Sequence, residues 1–594
     1  MTSTDLRPGD LTDRFRRVVR QFPDRVAVRA VDGALDFAAL DHRSRRLAGA
    51  LAAAGVGPGT RVGIHLGRTS RLVVALVAVW RAGGAYVPLD PSYPADRLAF
   101  MMADSGLVAV IADEPVPGRP DGVALVPVDP PTTTVAPLDV DRDPDDAAYV
   151  IYTSGTTGKP KGVQVGVGGV EQLVHALEAD DVYPSEHRTV AWNASISFDA
   201  SVQQWIRVLR GDTLVLLDDE ARTEPEALVA LLEDHAVTDI DFTPTHVLAV
   251  REHLDHLAER RVASGGSPLR LLVGGEAIPG ALWEGLVARG LAGGLEAVNL
   301  YGPTECGVDA TAAWIGGATP HIGTPLSGVK GYVLDERLRP TPPDEPGHLY
   351  LSGPGLAHGY VGRSALTAQR FVADPFDDGG ARMYRTGDRV RERPDGTLEF
   401  LGRTDRQAKL RGFRIELDEV GHVLAEHPRV ASAAVVLSGG RELVAYVTGS
   451  ATEGEELRAW CATRLPPHMV PGRVAHLDRM PTTAGGKVDF ADLEGRAPRS
   501  PAGPEARREG GGVEDLLCAV WGDILGLDAI DAEDNFFALG GHSLLAITVV
   551  SEVKKTFAVR IKTADVYRFP RLGDLAGHIR QVAAETARPA VPAS

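Results

Sequence analysis

Between Tyr152 and Gly162 the chain reads YTSGTTGKPKG, which gathers the hydroxyls of Thr153, Ser154, Thr156 and Thr157, the glycines Gly155, Gly158 and Gly162, and the ammonium groups of Lys159 and Lys161 into one short loop. Glycines let the backbone approach a ligand closely, N–H and O–H groups donate, and lysines supply positive charge, so the indicated chemistry is phosphate binding. The basic character is local: 80 Asp and Glu stand against 62 Lys and Arg, a formal net charge of −18 that speaks against a nucleic-acid footprint. The loop is not that of a P-loop nucleoside triphosphatase, because GTTGK lacks the four-residue spacing between Gly and Gly-Lys-Ser/Thr. No G-x-G-x-x-G marks the first βα turn either.

The elements that must carry such a loop are read from periodicity. Apolar runs at 61–66, 85–89, 107–112, 147–153 and 213–217 alternate with helical stretches such as 70–83, which predicts a layered α/β body to about residue 400. Smaller elements follow at 417–427, 431–437 and 442–448, predicting a compact α+β unit. RAPRSPAGPEARREGGG (496–512) breaks every period and predicts a flexible linker, after which 513–525, 543–557 and 572–585 are helical. The expected fold is therefore α/β multidomain: an N-terminal core over 1–403, a small α+β C-terminal unit over 404–495, the linker 496–512, an all-α helical bundle over 513–586 and a tail over 587–594. With 594 residues, 44% of them hydrophobic, large cores can be buried. Three dispersed cysteines, no signal-peptide pattern and no run of about 18 apolar residues predict a cytoplasmic protein without disulfides.

The full loop resembles the phosphate loop of the adenylate-forming superfamily, which includes acyl-CoA synthetases, luciferases and the adenylation domains of nonribosomal peptide synthetases. RAGGAYVPLDPSYP (81–94), FDAS (198–201), NLYGPTE (299–305), YRTGDRV (384–390), GRTDRQAKLRGFRIEL (402–417) and GGKVD (485–489) follow in that family's order, so the resemblance spans nearly all of 1–495. It implies that a carboxylate and ATP, with Mg²⁺, give an acyl-adenylate and diphosphate, a reaction that needs cations and fixed donors where negative charge accumulates. By this resemblance Thr153, Ser154, Gly155, Thr156, Thr157, Gly158, Lys159 and Lys161 hold phosphates. Tyr301 lies against adenine, and Gly275, Glu276 and Asn299 line the nucleotide site. Thr304 contacts the α-phosphate, Glu305 holds the metal, and Asp388 with Arg403 takes the ribose. Lys487 is expected to neutralise charge at the reacting carboxylate, and Asp405 matches the hinge about which the C-terminal unit rotates as a lid. Two positions depart from the pattern, His348 for a usual Glu and Ala408 for a common Val, and neither lies on the inferred catalytic path.

Asp199 matches the aspartate that pairs with the α-ammonium in amino-acid-activating members, and a buried carboxylate without a cation would be costly. This favours an α-amino acid over aryl or fatty acids. The expected lining of Ala200, Gln203, Thr245, Leu272, Gly274, Leu300, Val308 and Asp309, closed by Lys487, combines a small floor and apolar walls with an amide and a deep carboxylate. An apolar side chain would leave Gln203 and Asp309 poorly satisfied, so the best substrate is glutamine, with glutamate and other polar side chains open.

DNFFALGGHSLLA (534–546) resembles a peptidyl carrier protein, with Ser543 as the attachment point of 4′-phosphopantetheine. Together the resemblances imply a freestanding adenylation and carrier didomain that makes aminoacyl-AMP and loads the amino acid as a thioester on its own carrier. The implied partners are a phosphopantetheinyl transferase and a downstream condensation or tailoring enzyme, with a small MbtH-like activator left open. The rivals are a synthetase acting on a free thiol, against which Asp199 and Ser543 speak, and a catalytically dead scaffold, against which Lys487, Glu305 and the intact phosphate loop speak.

Overall fold

The structure is a computed structural model and describes residues 10–131, 140–155, 158–410, 412–440, 442–483, 487–496, 512–525, 530–537, 539, 541 and 543–586. Thr156 and Thr157 of the phosphate loop, the two glycines before Lys487, most of the expected linker, the tail and the side chain of Ser543 lie outside the described residues.

Two large sheets form the N-terminal core. In the nine-stranded sheet the inner strands Leu295–Tyr301, Leu269–Gly274, Asp239–Phe242, Thr189–Trp192, Thr213–Leu216 and Val26–Ala30 run parallel, with antiparallel strands at both edges. The seven-stranded sheet has the order Gly359–Tyr360, Lys161–Gly166, Ala147–Thr153, Ala85–Pro88, Arg61–Ile64, Ala109–Ile111, Ala124–Val126. Helix Ser70–Arg81 reads SRLVVALVAVWR, apolar around most of its circumference, and such a helix needs cover on all sides. It finds that cover by touching strands of both sheets, and from Leu72 to Arg81 every side chain is buried.

This arrangement decides where a ligand can sit. Parallel strands present their carboxyl ends on one edge, where loops diverge and open a crevice. Phe242, Gly274 and Tyr301 close three neighbouring strands, and Thr153 closes the strand that leads into the phosphate loop. A five-stranded antiparallel sheet adds Arg382–Glu392 and Leu398–Arg403, which pair with Asp388 opposite Arg403.

The following unit begins with the hairpin Gln407–Leu410 and Phe413–Glu416, then packs helix Leu417–Ala425 on the three-stranded sheet Val430–Ser438, Glu442–Gly449, Arg473–His476. The last unit packs helices Val513–Leu525, Ser543–Phe557 and Leu572–Thr586 around Leu517, Trp521, Phe536, Val553 and Ile579. A fourth helix, Thr563–Arg568, was not expected: six residues are too few to show a helical period. Among the described residues no helix is long and apolar enough to cross a membrane.

Candidate active site

Glu305 is fully buried in a short 3₁₀ turn just beyond strand Leu295–Tyr301. Tyr360 Oη donates to its Oε1 at 2.7 Å, Arg414 Nη1 donates to its Oε2 at 2.6 Å, and Lys161 Nζ stands 3.9 Å away. Burial alone would raise this carboxyl, but Arg414 and Lys161 outweigh it and hold Glu305 well below the usual carboxylate range. Lys161 is itself pushed down, by burial first and then by Arg414.

Arg414 comes from the hairpin of the C-terminal unit, which lies across the core's strand ends. Ser154 Oγ donates to the Arg414 carbonyl at 2.9 Å and accepts the Glu416 N–H at 3.0 Å. The Gly155 N–H donates to Glu419 Oε2 at 2.8 Å, while Arg97 Nη1 donates to Glu419 Oε1 at 3.0 Å. A backbone N–H of the phosphate loop thus already holds an anion, a protein carboxylate, together with Arg97 of helix Ala95–Ser105. Thr153 Oγ1 is buried there without a hydrogen bond. Gly158 lies against His422, and Lys159 Nζ stands 5.7 Å from the Phe100 ring centre.

Of the residues expected around the nucleotide, Tyr301, Asp388 and Arg403 meet directly. Tyr301 Oη donates to Asp388 Oδ2, and Arg403 Nη1 donates to Asp388 Oδ1 at 2.5 Å. The Lys409 ammonium lies 5.3 Å from the centre of the Tyr301 ring, and burial lowers its pKa. Arg403 also grips Asp405 at 2.8 and 3.0 Å, so the expected hinge residue is tied to the core's last strand. Asn299 Nδ2 donates to the His321 carbonyl. Gly275 sits against Gly412, and Glu276 accepts from the Gly412 N–H and from Thr245 Oγ1 at 2.7 and 2.6 Å.

Asp199 caps helix Ala200–Trp205 and accepts from the Ala200 N–H at 2.9 Å and from Thr304 Oγ1 at 2.5 Å. Burial raises its carboxyl even against those two bonds. Gln203, one turn along, donates through Nε2 to Asp241 Oδ1, while its Oε1 is buried without a hydrogen bond. Asp309 Oδ2 is buried and unbonded too, and burial, then the charges of Asp241 and Asp199, push that carboxyl far up. Val308 precedes it with φ 88°, a strained value for a β-branched residue. Gly302 makes the turn feasible, since a Cβ there would meet the Val308 carbonyl oxygen at 2.0 Å. Leu272, Gly274 and Leu300 come from adjacent strands, with Gly274 paired to Leu300.

Lys487 does not join this set. Its side chain is exposed and its carbonyl accepts the Thr483 N–H. The neighbouring Val488 packs with Ala434, Val436, Val444 and Tyr446, whereas the hairpin's Ala408, Leu410 and Ile415 pack with Val435, Ala445 and Val447. Alternation along the strands puts these sets on opposite faces of one sheet, so with the hairpin over the site Lys487 faces elsewhere. The expectation that Lys487 closes the pocket is not met in this arrangement. Sequence reasoning also passed over Arg97, Asp241, Tyr360, Lys409, Arg414 and Glu419. Arg414 and Lys409 lie in the quoted motif 402–417, but their partners Glu305 and Tyr301 come from residues more than 100 positions away.

Residues 15–361, more than half of the chain, match the AMP-binding enzyme family. The chain belongs to that family. Residues 419–487 match the AMP-binding enzyme C-terminal domain, and 515–579 match the phosphopantetheine attachment site. A dimodular nonribosomal peptide synthase of Bacillus subtilis (strain 168) is 35% identical over 96% of this chain, and malpibaldin synthetase of Mortierella alpina is 37% identical over 96%. The chain spans 24% of the former and 10% of the latter. Among solved structures it is similar to holo-PA1221, an NRPS protein containing adenylation and PCP domains bound to a vinylsulfonamide inhibitor. Identity there is 26%, coverage 97% of this chain and 98% of the other, and the TM-score 0.79. A four-domain nonribosomal peptide synthetase bound to AMP and glycine shares 30% identity over 98% of this chain and 43% of its own, with a TM-score of 0.59. As an AMP-binding enzyme fused to a carrier, the chain has the α/β core, smaller C-terminal unit and helical module of that pairing.

Proposed function

We propose that the chain activates an amino acid, glutamine by preference, as aminoacyl-AMP and then loads it onto a phosphopantetheine arm on Ser543. The observation that carries the reading is the pair of buried unbonded atoms, Gln203 Oε1 and Asp309 Oδ2, linked through Asp241, which bonds to Gln203 and, with Asp199, adds to the burial that raises the Asp309 carboxyl. Each unsatisfied buried polar atom costs about 1–3 kcal/mol, so a ligand that bonds to both recovers that cost. A carboxyl kept protonated donates, and an amide oxygen accepts. A side-chain carboxamide offers the matching acceptor and donor together. A side-chain carboxylate offers no donor to Gln203, and an apolar side chain offers neither.

Asp199, raised by burial, gains from an α-ammonium, which restores its charge. ATP supplies the leaving group when bound: the phosphate loop, which here takes the Glu419 carboxylate, fits its phosphates. Glu305, already compensated by two cations, fits a metal cation once Arg414 withdraws, although no cluster of metal-ligating side chains exists among the described residues. Thr304 and the N–H groups of the loop orient the reacting groups, and Lys487 would reach them when the C-terminal unit turns about Asp405. With the hairpin in its present place, Arg414 and Lys409 exclude that lysine and wall the site for the incoming thiol.

The domain limits 1–403, 404–495 and 513–586, a cytoplasmic setting, and a phosphopantetheinyl transferase and condensation or tailoring enzyme as partners belong to the same reading. The similarity to nonribosomal peptide synthetases supports it. ATP–pyrophosphate exchange across the proteinogenic amino acids tests it: glutamine should be turned over at least about tenfold better than glutamate. A preference for an apolar or aryl acid would refute the pocket assignment.

A further inference from the structure

The carrier meets the core through a charge pattern with one consistent direction. Lys554 Nζ lies 3.5 Å from Glu226, Lys555 Nζ 3.0 Å from Glu252 and Lys562 Nζ 3.7 Å from Glu220. Every lysine belongs to the carrier and every glutamate to the core helices Asp219–Thr223, Pro225–Asp234 and Pro244–Ser264. The polarity is not inherited from the carrier's composition, since residues 513–586 hold eleven Asp and Glu against seven Lys and Arg. An acidic module therefore turns its lysines toward an acidic enzyme.

Between these pairs the contact is closed by polar bonds. Thr563 Oγ1 donates to the Thr223 carbonyl at 3.0 Å, and the Ala564 N–H donates to Glu224 Oε1 at 3.1 Å. Thr563 and Glu224 are both buried, and burial raises the Glu224 carboxyl. On the other side Arg458 Nη2 of the C-terminal unit donates to the Phe537 carbonyl at 2.9 Å. The carrier thus touches both parts of the enzyme while the hairpin lies over the site.

We propose that Glu220, Glu226 and Glu252 form a docking stripe that selects carriers bearing lysines at the positions of Lys554, Lys555 and Lys562. It holds the chain's own carrier for loading and rejects a carrier with acidic residues there. This rests on the reading that the chain loads a carrier in its second half-reaction. Exposed pairs are individually weak and screened by salt, and Lys555 also pairs with its own Glu552, so the test reverses charges in groups.

The full-length chain, with its arm installed by a phosphopantetheinyl transferase and coenzyme A, is assayed for single-turnover loading of glutamine, for ATP–pyrophosphate exchange and for maximum dimension by small-angle scattering. The variant Lys554→Glu/Lys555→Glu should load about tenfold more slowly and scatter as a more extended particle, with exchange unchanged, as should Glu226→Lys/Glu252→Lys. Combining all four reversals should restore both loading and compactness, and about 0.5 M salt should erase the differences among the four proteins. Equal loading by all four, or a combined variant as slow and extended as its parents, would overturn the stripe. Absence of exchange in the unaltered chain would instead defeat the activation reading, and the scattering series would still decide the stripe.

Discussion

Arg414 and Glu305 are joined across the boundary between the core and the C-terminal unit, Nη1 to Oε2 at 2.6 Å. The Glu305 carboxylate, which the proposed reading assigns to the metal, is fully buried, while Arg414 is partly exposed. On the proposed reading, a cation from one unit stands where a metal would stand in the first half-reaction, while Lys487, on the opposite face of the same sheet, is held outside. The two half-reactions are proposed to use the two faces of that unit in turn.

If Lys487 serves only the first of them, Lys487→Ala should lower ATP–pyrophosphate exchange by about a hundredfold, while loading from premade aminoacyl-adenylate falls much less. Rapid-quench assays of each half-reaction check this. Equal losses in both would contradict the division.

Asp199 is half-buried and bonded to Thr304 and the Ala200 N–H, with no cation among its hydrogen-bond partners in the described residues. Asp199→Asn should depress activation of the amino acid at least about tenfold, whereas the deaminated analogue should lose less or gain. Exchange assays with both compounds decide whether the α-ammonium is its partner.

The pocket should also leave a mark on stability. Burial pushes the Asp241 carboxyl up to about 7. A carboxyl raised in the folded state favours folding while protonated, so its contribution is complete below about pH 4 and is lost as pH rises to about 7. Asp241→Asn should flatten this part of the pH profile and stabilise the ligand-free chain at pH 8 by about 1–3 kcal/mol. Urea unfolding at pH 5 and pH 8 measures it, and an unchanged slope would show that Asp241 is ionised throughout.

Much of this was legible before the fold was known, and unevenly so. Runs such as AAYVIYT and the helix around Val73 announced themselves because buried parallel strands and a sandwiched helix are apolar nearly throughout. Glu305 was legible because it closes the motif NLYGPTE just beyond a strand end. Arg97, Arg414 and Glu419 were not, since their meaning lies in contacts between units whose relative placement no local pattern encodes. Asp241 hid for another reason: in DIDF it resembles the polar half of an alternating strand, whereas it faces Gln203 in the interior.

The central claim is that this chain charges its own carrier at Ser543, and intact-protein mass spectrometry tests it most directly. After arm installation, ATP and glutamine should add the mass of one glutaminyl group to the unaltered chain and nothing to Ser543→Ala, which should keep its ATP–pyrophosphate exchange. A covalent gain that persists on the alanine variant, or no gain with any amino acid on the armed chain, would contradict the account.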